Sequence, residues 1–240
     1  MNKTIIFGSS GLLGKEVFNY LKNKNNVIGV DIKIDNDKFE QNTIEFDITN
    51  LKTKFDFNEF MDNIIDSDTK YISLIDCLLL RSYSGKDSLE ECHNAILGYL
   101  TTSISLAKWF GFYCTKKNIK GTMVMMSSVK AFDSPKFYHY KDTEMSSALE
   151  YGVSKAGISL AIKDLSVRFH GLVRYNSIAP GGIEGEKHVK NFLEKYDESC
   201  LIKPGLIKPI EIAKLIDFLI RDKCPIIGQT IIMDNGWSLT

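Results

Sequence analysis

A tyrosine and a lysine stand four positions apart at Tyr151 and Lys155, a spacing that places two side chains on one face of a helix. An ammonium group close to a phenol favours the phenolate, so it lowers the pKa of a tyrosine from its usual value of about 10. Such a phenol can exchange a proton with an alcohol or a carbonyl oxygen. The pair therefore indicates acid–base chemistry, and the alternative is an ordinary pair of residues on a helix surface.

A glycine-rich segment lies far upstream of this pair, directly after a short apolar stretch. It contains Gly8, Gly11 and Gly14, and the residues among them include Ser10, Leu12 and Leu13. In a strand–turn–helix unit the first glycine permits the tight turn, the second lets the backbone approach a phosphate, and the third lets the helix pack closely against the strand. A turn that merely begins a helix is the alternative. Together with the tyrosine–lysine pair, the segment predicts hydride transfer with a bound dinucleotide.

Two carboxylates follow the next predicted strands. Asp31, with Ile32 after it, can accept hydrogen bonds from both hydroxyls of a ribose and repels a 2′-phosphate, which favours NAD over NADP. A surface aspartate at a strand end is the alternative, and the nearby Lys33 weakens the preference. Asp47 and Ile48 are compatible with a contact to an adenine amino group, and equally with the beginning of the next helical turn.

These residues require elements that carry them to one place. Apolar strand-like runs alternate with helical patterns along the chain, which predicts one doubly wound α/β domain over residues 1–240, with a largely parallel, seven-stranded sheet covered on both faces. Strands are predicted over residues 3–8, 26–32, 43–46, 71–79, 121–127, 172–177 and 226–233. Helices are predicted over residues 12–23, 57–65, 89–116, 149–169, 186–196 and 209–221.

The composition argues against several other classes of protein. Lys and Arg number 30, as do Asp and Glu, so the net charge of zero favours no nucleic-acid partner. The beginning of the chain does not have the pattern of a signal peptide, and no apolar run is long enough to span a membrane, which predicts a cytoplasmic protein without membrane contact. Five scattered cysteines without CxxC spacing indicate reduced thiols, and four histidines in no ligand pattern predict that no metal is bound.

Two irregular regions, residues 129–147 and 181–209, follow predicted strand ends, where open α/β sheets bind ligands. Within the first, residues 136–144 contain three aromatic rings, a histidine and four charged side chains. We interpret this stretch as a lid that faces the substrate and could grip a polar, sugar-sized ligand, and a solvated surface loop is the alternative. His139 could belong to the lid or be a stray surface side chain.

The order of these motifs resembles that of the short-chain dehydrogenase/reductase family over essentially the whole chain. The glycine segment, Asp31 and the Tyr151/Lys155 pair are matched by further stretches in the family's order: Asp47-Ile48, Met126-Ser127-Ser128, Asn176 to Gly181, and Gly228 to Gly236. More narrowly, residues 180–196 and the long stretch between Ser128 and Tyr151 are similar to the flagellin-modification dehydrogenases of bacterial sialic-acid-like and other amino-sugar biosynthesis.

The resemblance implies a Rossmann-like NAD-binding domain, with NADP as a second candidate cofactor, that interconverts a secondary alcohol and a ketone of a sugar or nucleotide-sugar. It implies that Tyr151 exchanges the proton, that Lys155 supports the tyrosine and holds the nicotinamide ribose, and that Ser128 bonds the reacting oxygen. Asn94 would hold a water of the proton relay. The further residues that it places beside the cofactor are Cys77, Pro180, Gly181 and Ile183, and related proteins form homodimers or homotetramers.

Two departures from the family pattern keep other functions open. Asp76-Cys77-Leu78 stands where the family usually has Asn-Asn-Ala-Gly, and a carboxylate near a buried strand end needs a partner. The 23-residue spacing from Ser128 to Tyr151 exceeds the usual one by about ten residues, on comparison with the family's pattern of loop lengths. A reductase of carrier-bound ketones, or a dinucleotide-binding sensor without turnover, remain the alternatives.

Overall fold

The computed structural model describes residues 1–34, 42–79, 88–186 and 188–240. Seven parallel strands form one sheet in the order β3-β2-β1-β4-β5-β6-β7. The direction of winding reverses between β1 and β4, so the carboxyl ends of these strands open a crevice at that edge. The strands are β1 (Asn2–Phe7), β2 (Asn26–Asp31), β3 (Thr43–Glu45), β4 (Tyr71–Asp76), β5 (Lys120–Met126), β6 (Val173–Pro180) and β7 (Thr230–Met233).

Helices cover both faces of the sheet and divide the apolar interior into two cores. The helices are α1 (Leu12–Leu21), α2 (Lys54–Ile64), α3 (Leu89–Ile96), α4 (Thr102–Lys117), α5 (Leu149–Arg168), α6 (Lys190–Glu198) and α7 (Pro209–Ile220). One core joins the sheet to α1 and α7 through side chains such as Phe18 and Ile216. The other joins it to α2, α4 and α5 through Phe57, Phe110 and Ile162. Strands buried on both faces explain why their sequences are continuously apolar.

The prediction of a doubly wound α/β fold with a seven-stranded, mostly parallel sheet is confirmed. The predicted helix over residues 89–116 is wrong in one respect, because a π-helical turn at Leu97–Thr101 separates α3 from α4. Such a turn contains one residue more than the α-helical repeat, and apolar periodicity does not reveal it.

Among the other boundaries that differ from the sequence prediction, the beginnings of three elements are displaced by three residues or more. Helix α2 begins at Lys54 rather than residue 57, because Thr53 and Asp56 form a capping box. The last strand begins at Thr230 rather than residue 226, since the side chain of Asn176 bonds the carbonyl oxygen of Ile226 and the N–H of Gln229. Helix α6 begins at Lys190 rather than residue 186, and residue 187 lies outside the described part of the chain.

Within the described part of the chain, none of the helices has both the length and the apolar character needed to cross a membrane.

Candidate active site

The glycine segment forms the turn between β1 and α1. Gly8 has φ +76°, a conformation that residues with a side chain rarely adopt, and it packs against the backbone of Cys77 at the end of β4. A Cβ atom on Gly14 would lie 2.0 Å from the carbonyl oxygen of Gly8, so only glycine allows the helix to approach the turn this closely. The structure therefore places the predicted turn at the carboxyl edge of the sheet, and Gly11 is the N-cap residue of α1.

Asp31 lies at the end of the neighbouring strand and is hydrogen-bonded to the glycine turn. One carboxylate oxygen accepts from the backbone N–H of Ser10 at 2.7 Å, and the other accepts from the N–H of Ile32 at 2.8 Å. Each oxygen keeps a further lone pair, so the carboxylate can still accept two hydroxyl protons. The hydroxyl oxygens of Ser9 and Ser10 are buried and have no hydrogen-bond partner among the described residues. Buried polar atoms of this kind are typical of a site completed by a ligand.

The remaining residues predicted beside the cofactor differ in their exposure. Asp47 caps a short 3₁₀ turn, Ile48–Asn50, by accepting from the N–H of Thr49, and Ile48 is buried in the core. The alternative given for this pair, the beginning of a helical turn, is thus the geometry observed. Leu12 is exposed and lies under Gly185 of the loop after β6, whereas Leu13 packs against the core.

Tyr151 and Lys155 lie in the first two turns of α5, as the spacing predicts. The ammonium of Lys155 is 5.6 Å from the centre of the Tyr151 ring, and it donates to the carbonyl oxygen of Met126 at 2.8 Å. Lys155 is only 3% exposed. A buried ammonium held by the last residue of β5 fixes the position of the charge relative to the phenol.

The charge of Lys155 is opposed by its burial and supported by a buried carboxylate. Burial lowers the pKa of Lys155, and Asp76 at the end of β4 acts against that change. Burial also raises the pKa of Asp76, while hydrogen bonds from Ser103 and from the N–H of Leu78 act in the opposite direction. The partners that a carboxylate at this position requires are therefore present.

Ser127 and Ser128 follow β5 but have different roles. Ser127 is buried and bonds the carbonyl oxygen of Lys155 at 3.0 Å and the hydroxyl of Ser159 at 2.8 Å, which ties the strand to α5. Ser128 caps a 3₁₀ turn by accepting from the N–H of Lys130 at 3.3 Å. Its hydroxyl hydrogen has no acceptor within the described ranges, so it can donate to a ligand oxygen.

Asn94 lies on α3, which packs against α5 and ends at the π-helical turn. It is half-buried, and its carbonyl oxygen accepts from the N–H of Leu97. The turn brings the ring of Tyr99 edge-on to the ring of Tyr151, with ring centres 5.4 Å apart. Such an edge-to-face contact stabilises one orientation of the phenol by about 0.5–1.5 kcal/mol.

The segment after β6 is attached to the C-terminal part of the chain. Pro180 ends the strand, the N–H of Gly181 donates to Met233 at 2.9 Å, and Ile183 forms an isolated parallel bridge with Ile207. The N–H of Gly182 donates to the hydroxyl of Tyr196 at 2.6 Å. These bonds hold the segment at the same edge of the sheet as Tyr151.

The two loop regions meet in an aromatic cluster, which we define as His139, Tyr140, His188, Phe192, Tyr196 and Trp237. His139 is 1% exposed, and burial, together with the nearby lysines, lowers its pKa to about 4. The interpretation of His139 as a stray surface side chain is therefore wrong, because three rings of α6 and the C-terminal turn enclose it. The stretch between Ser128 and Tyr151, which we call the insert, is therefore neither a free surface loop nor a lid in which every ring faces a ligand.

Comparison with known proteins agrees with this arrangement. A family model described as enoyl-(acyl carrier protein) reductase matches residues 86–238. Post-translational flagellin modification protein A of Campylobacter coli is 32% identical, and the match covers 99% of each chain. The chain belongs to the short-chain dehydrogenase/reductase family. It is accordingly an oxidoreductase, and the resemblance inferred from its motifs is confirmed.

Solved structures of short-chain dehydrogenases have the same fold. 4-Hydroxyisoleucine dehydrogenase in complex with NADH superposes with a TM-score of 0.82 at 21% identity, over 100% of both chains. A short-chain dehydrogenase from Leptospira borgpetersenii with bound NAD⁺ gives a TM-score of 0.79 at 21% identity, over 99% of this chain and 92% of the other.

Two residues near Tyr151 were missed by sequence reasoning. The ammonium of Lys130 is 5.9 Å from the centre of the Tyr151 ring, and Tyr99 contacts the same ring from another side. The position of Lys130 two residues after Ser128 was a usable signal, since both follow the same strand end. No sequence signal pointed to Tyr99, because its direction depends on the π-helical turn.

Proposed function

We propose that this member of the family is an NAD-dependent oxidoreductase that interconverts a secondary alcohol and a ketone on a sugar or nucleotide-sugar, with NADP as a possible cofactor. The observation that carries the proposal is the buried ammonium of Lys155, which lies 5.6 Å from the Tyr151 ring and is fixed to Met126. Burying a charged lysine costs free energy, so a protein without a use for the charge seldom keeps one in its interior. Lysines whose pKa is strongly shifted therefore cluster at functional sites.

The residues of the first turn fit a dinucleotide. The buried Ser10 hydroxyl without a partner among the described residues, the absence of side chains on Gly8, Gly11 and Gly14, and the N-terminus of α1 suit a pyrophosphate. Asp31 would accept the ribose hydroxyls and disfavour a 2′-phosphate, which supports NAD. Two of the solved relatives contain NAD⁺ or NADH, according to their descriptions.

In this proposal, Tyr151 donates a proton to the carbonyl oxygen in reduction and accepts it from the alcohol in oxidation. Lys155 favours the phenolate through its charge, and Ser128 donates its hydroxyl hydrogen to the same substrate oxygen. Asn94 would hold a water between the protein surface and the lysine. A bound nicotinamide would supply or take the hydride, and Pro180, Gly181 and Ile183 would hold its carboxamide.

The sugar class is supported by the relative from Campylobacter coli, whose description is flagellin modification. We accordingly propose a role in bacterial surface-glycan or flagellin-type amino-sugar biosynthesis. We also propose that the chain forms a homodimer or homotetramer, because α4 and α5 expose apolar side chains such as Phe112, Leu160 and Val167.

The test is a spectrophotometric screen in which NADH or NADPH formation is followed with amino-sugar and nucleotide-sugar alcohols. In the substrate that responds, Tyr151→Phe should lower kcat by about 10²- to 10⁴-fold and leave cofactor affinity unchanged. The matched control is Tyr138→Phe, since that hydroxyl bonds Ser199 at the end of α6. Unchanged turnover in Tyr151→Phe would refute the mechanism.

A second candidate function is the reduction of a carrier-bound ketone, which is favoured by the description of the matching family model. The same screen distinguishes the two functions if acyl-carrier thioesters are included. Oxidation of NADPH by a 3-oxoacyl thioester, without activity on any sugar, would select the second candidate. Cofactor binding without hydride exchange in either panel would instead indicate a sensor.

A further inference from the structure

A second lysine lies beside the proposed catalytic tyrosine. Lys130 is in the 3₁₀ turn after Ser128, and its carbonyl oxygen would be 3.0 Å from a Cβ on Gly152, the residue after Tyr151. Its ammonium is 5.9 Å from the Tyr151 ring centre, nearly the same as the 5.6 Å for Lys155. The phenol ring therefore has two ammonium groups close to it, and only that of Lys155 is fully buried.

The ammonium of Lys130 is bound only by neutral groups in the described part of the chain. It donates to the hydroxyl oxygen of Tyr140 at 3.0 Å and to that of Ser147 at 2.8 Å, and no carboxylate there lies within 4 Å of it. An ammonium has three donors, so one remains. This half-buried charge therefore has no counter-ion among the residues that the structure describes.

The two hydroxyls that accept from Lys130 still carry their own hydrogens. Within the described residues, neither the Tyr140 hydroxyl nor the Ser147 hydroxyl donates to an acceptor. One ammonium hydrogen and two hydroxyl hydrogens in the same small region therefore have no acceptor among the described residues. Three such donors around one positive charge suit the oxygens of an anion, because charge-assisted hydrogen bonds are about twice as strong as neutral ones.

A nearby histidine, His188, has one ring nitrogen without a hydrogen-bond partner among the described residues. The side chain of His188 is 10% exposed and stacks on Phe192, which in turn packs against Tyr140. Its Nε2 faces Glu186 at 3.4 Å, whereas its Nδ1 is buried without a hydrogen-bond partner among the described residues. Burial lowers the pKa of His188, the charge of Glu186 acts against this change, and the positive charge of Lys130 adds to it. A sugar hydroxyl both donates and accepts, so it would satisfy Nδ1 in either tautomer.

We propose that Lys130, Tyr140 and Ser147 bind an anionic substituent of the substrate, a phosphate or a carboxylate, within the span of one sugar ring from Tyr151, and that His188 bonds a neighbouring hydroxyl. This inference rests on the proposed function, since it narrows the sugar class to acidic sugars. The alternative role of Lys130 is to attach the insert to the strand end through the same two hydroxyls.

The test compares Lys130→Gln and Lys130→Arg with the wild type. The probes are a neutral N-acetylhexosamine, its 6-phosphate, a hexuronate and inorganic phosphate, each titrated by calorimetry into the full chain with and without NAD⁺. In Lys130→Gln we expect the affinity for the charged sugar to fall by about 10- to 100-fold and that for the neutral sugar to stay unchanged. Lys130→Arg should retain most of the affinity. The relative affinities for the 6-phosphate and the hexuronate, and competition by inorganic phosphate, distinguish the two sources of charge.

The matched control is Lys136→Gln. Lys136 lies on the same insert, but its ammonium donates to the carbonyl oxygen of Trp237 and to the hydroxyl of Thr240 in the C-terminal turn, and not to Tyr140 or Ser147. It should leave binding of the charged sugars unchanged, so a common effect of both variants would mean that only the insert is disturbed, which overturns the proposal. An equal loss for neutral and charged sugars in Lys130→Gln, or a wild type that prefers the neutral sugar, also overturns it.

Failure of the proposed function has a different signature. Calorimetry reads binding without turnover, so the anion site can be judged even if no sugar exchanges hydride. Turnover of neutral sugars only, with no binding of charged ones, would leave the oxidoreductase intact and remove the anion site.

Discussion

The two ends of the crevice are constructed in different ways. At the dinucleotide end, Gly14 and Asp31 are held by contacts with the backbone of residues 8–10, such as the 2.7 Å bond from the N–H of Ser10, and Gly8 also packs against the backbone of Cys77. At the substrate end, the aromatic cluster joins residues from 139 to 237, far apart along the chain. The first end is specified by short-range rules of turn and packing, and the second by long-range side-chain contacts. Changes at the first should therefore act on binding of the dinucleotide, and changes at the second on binding of the substrate.

The sharpest way to break this comparison is Gly14→Ala. Its Cβ would lie 2.0 Å from the carbonyl oxygen of Gly8, a backbone atom that cannot move without opening the turn. We expect the free energy of unfolding to fall by about 1–3 kcal/mol or more, together with a loss of NADH binding. Urea denaturation and a fluorescence titration with NADH measure the two effects.

The matched control is Gly11→Ala. Gly11 has φ −68°, which alanine adopts, and its Cβ would be 3.4 Å from the nearest atom beyond its neighbours. This variant should keep the wild-type stability and still bind NADH more weakly, because the added methyl would lie where the phosphate approaches. Equal losses of stability in both variants would contradict the close contact that the structure shows at Gly14 and the free space that it shows at Gly11.

At the substrate end we predict a smaller and more specific effect for Tyr196→Phe. The variant removes the acceptor of the Gly182 N–H, a bond of 2.6 Å, at a cost of about 1–3 kcal/mol. The KM for the substrate should rise by a larger factor than the Kd for NADH, which changes only through the neighbouring Gly181 and Ile183. Tyr138→Phe serves as the control, since its hydroxyl bonds Ser199 at the end of α6 and not the N–H of Gly182. A larger change in the Kd for NADH than in the KM would contradict the division into two ends.

The same contrast explains how much the sequence could predict. The glycine turn, Asp31 and the spacing of Tyr151 and Lys155 depend on local geometry, and the structure places all of them at one edge of the sheet. The burial of His139 depends on rings contributed by α6 and by the C-terminal turn, which no local pattern reveals.

The π-helical turn illustrates a second limit of the sequence. One extra residue in the helix redirects Tyr99 toward Tyr151, yet the apolar stripe along this stretch is compatible with an uninterrupted helix. Sequence reasoning therefore predicted the fold and the tyrosine–lysine pair, but not the side chains that surround the pair on its substrate side.

Asp76 lies between the two ends, at the tip of β4 beside the glycine turn and near Lys155. We expect its replacement to have the smallest of the three effects. Burial lowers the pKa of Lys155, and the carboxylate of Asp76 partly opposes this. In Asp76→Asn that support is lost, so Lys155 gives up its proton at a lower pH. Because only the charged ammonium favours the phenolate, the alkaline limb of the pH–kcat profile should move toward lower pH.

Asparagine keeps an oxygen for the N–H of Leu78, which is 3.0 Å from Asp76, so the variant should fold and a thermal melt can verify this. Asp47→Asn is the control, since Asp47 caps a turn after β3 and should leave the profile in place. An alkaline limb that does not move in Asp76→Asn would mean that Lys155 keeps its charge without the carboxylate. The backbone bond to Met126 would then be sufficient to hold the ammonium, and the two ends of the crevice would be electrostatically independent.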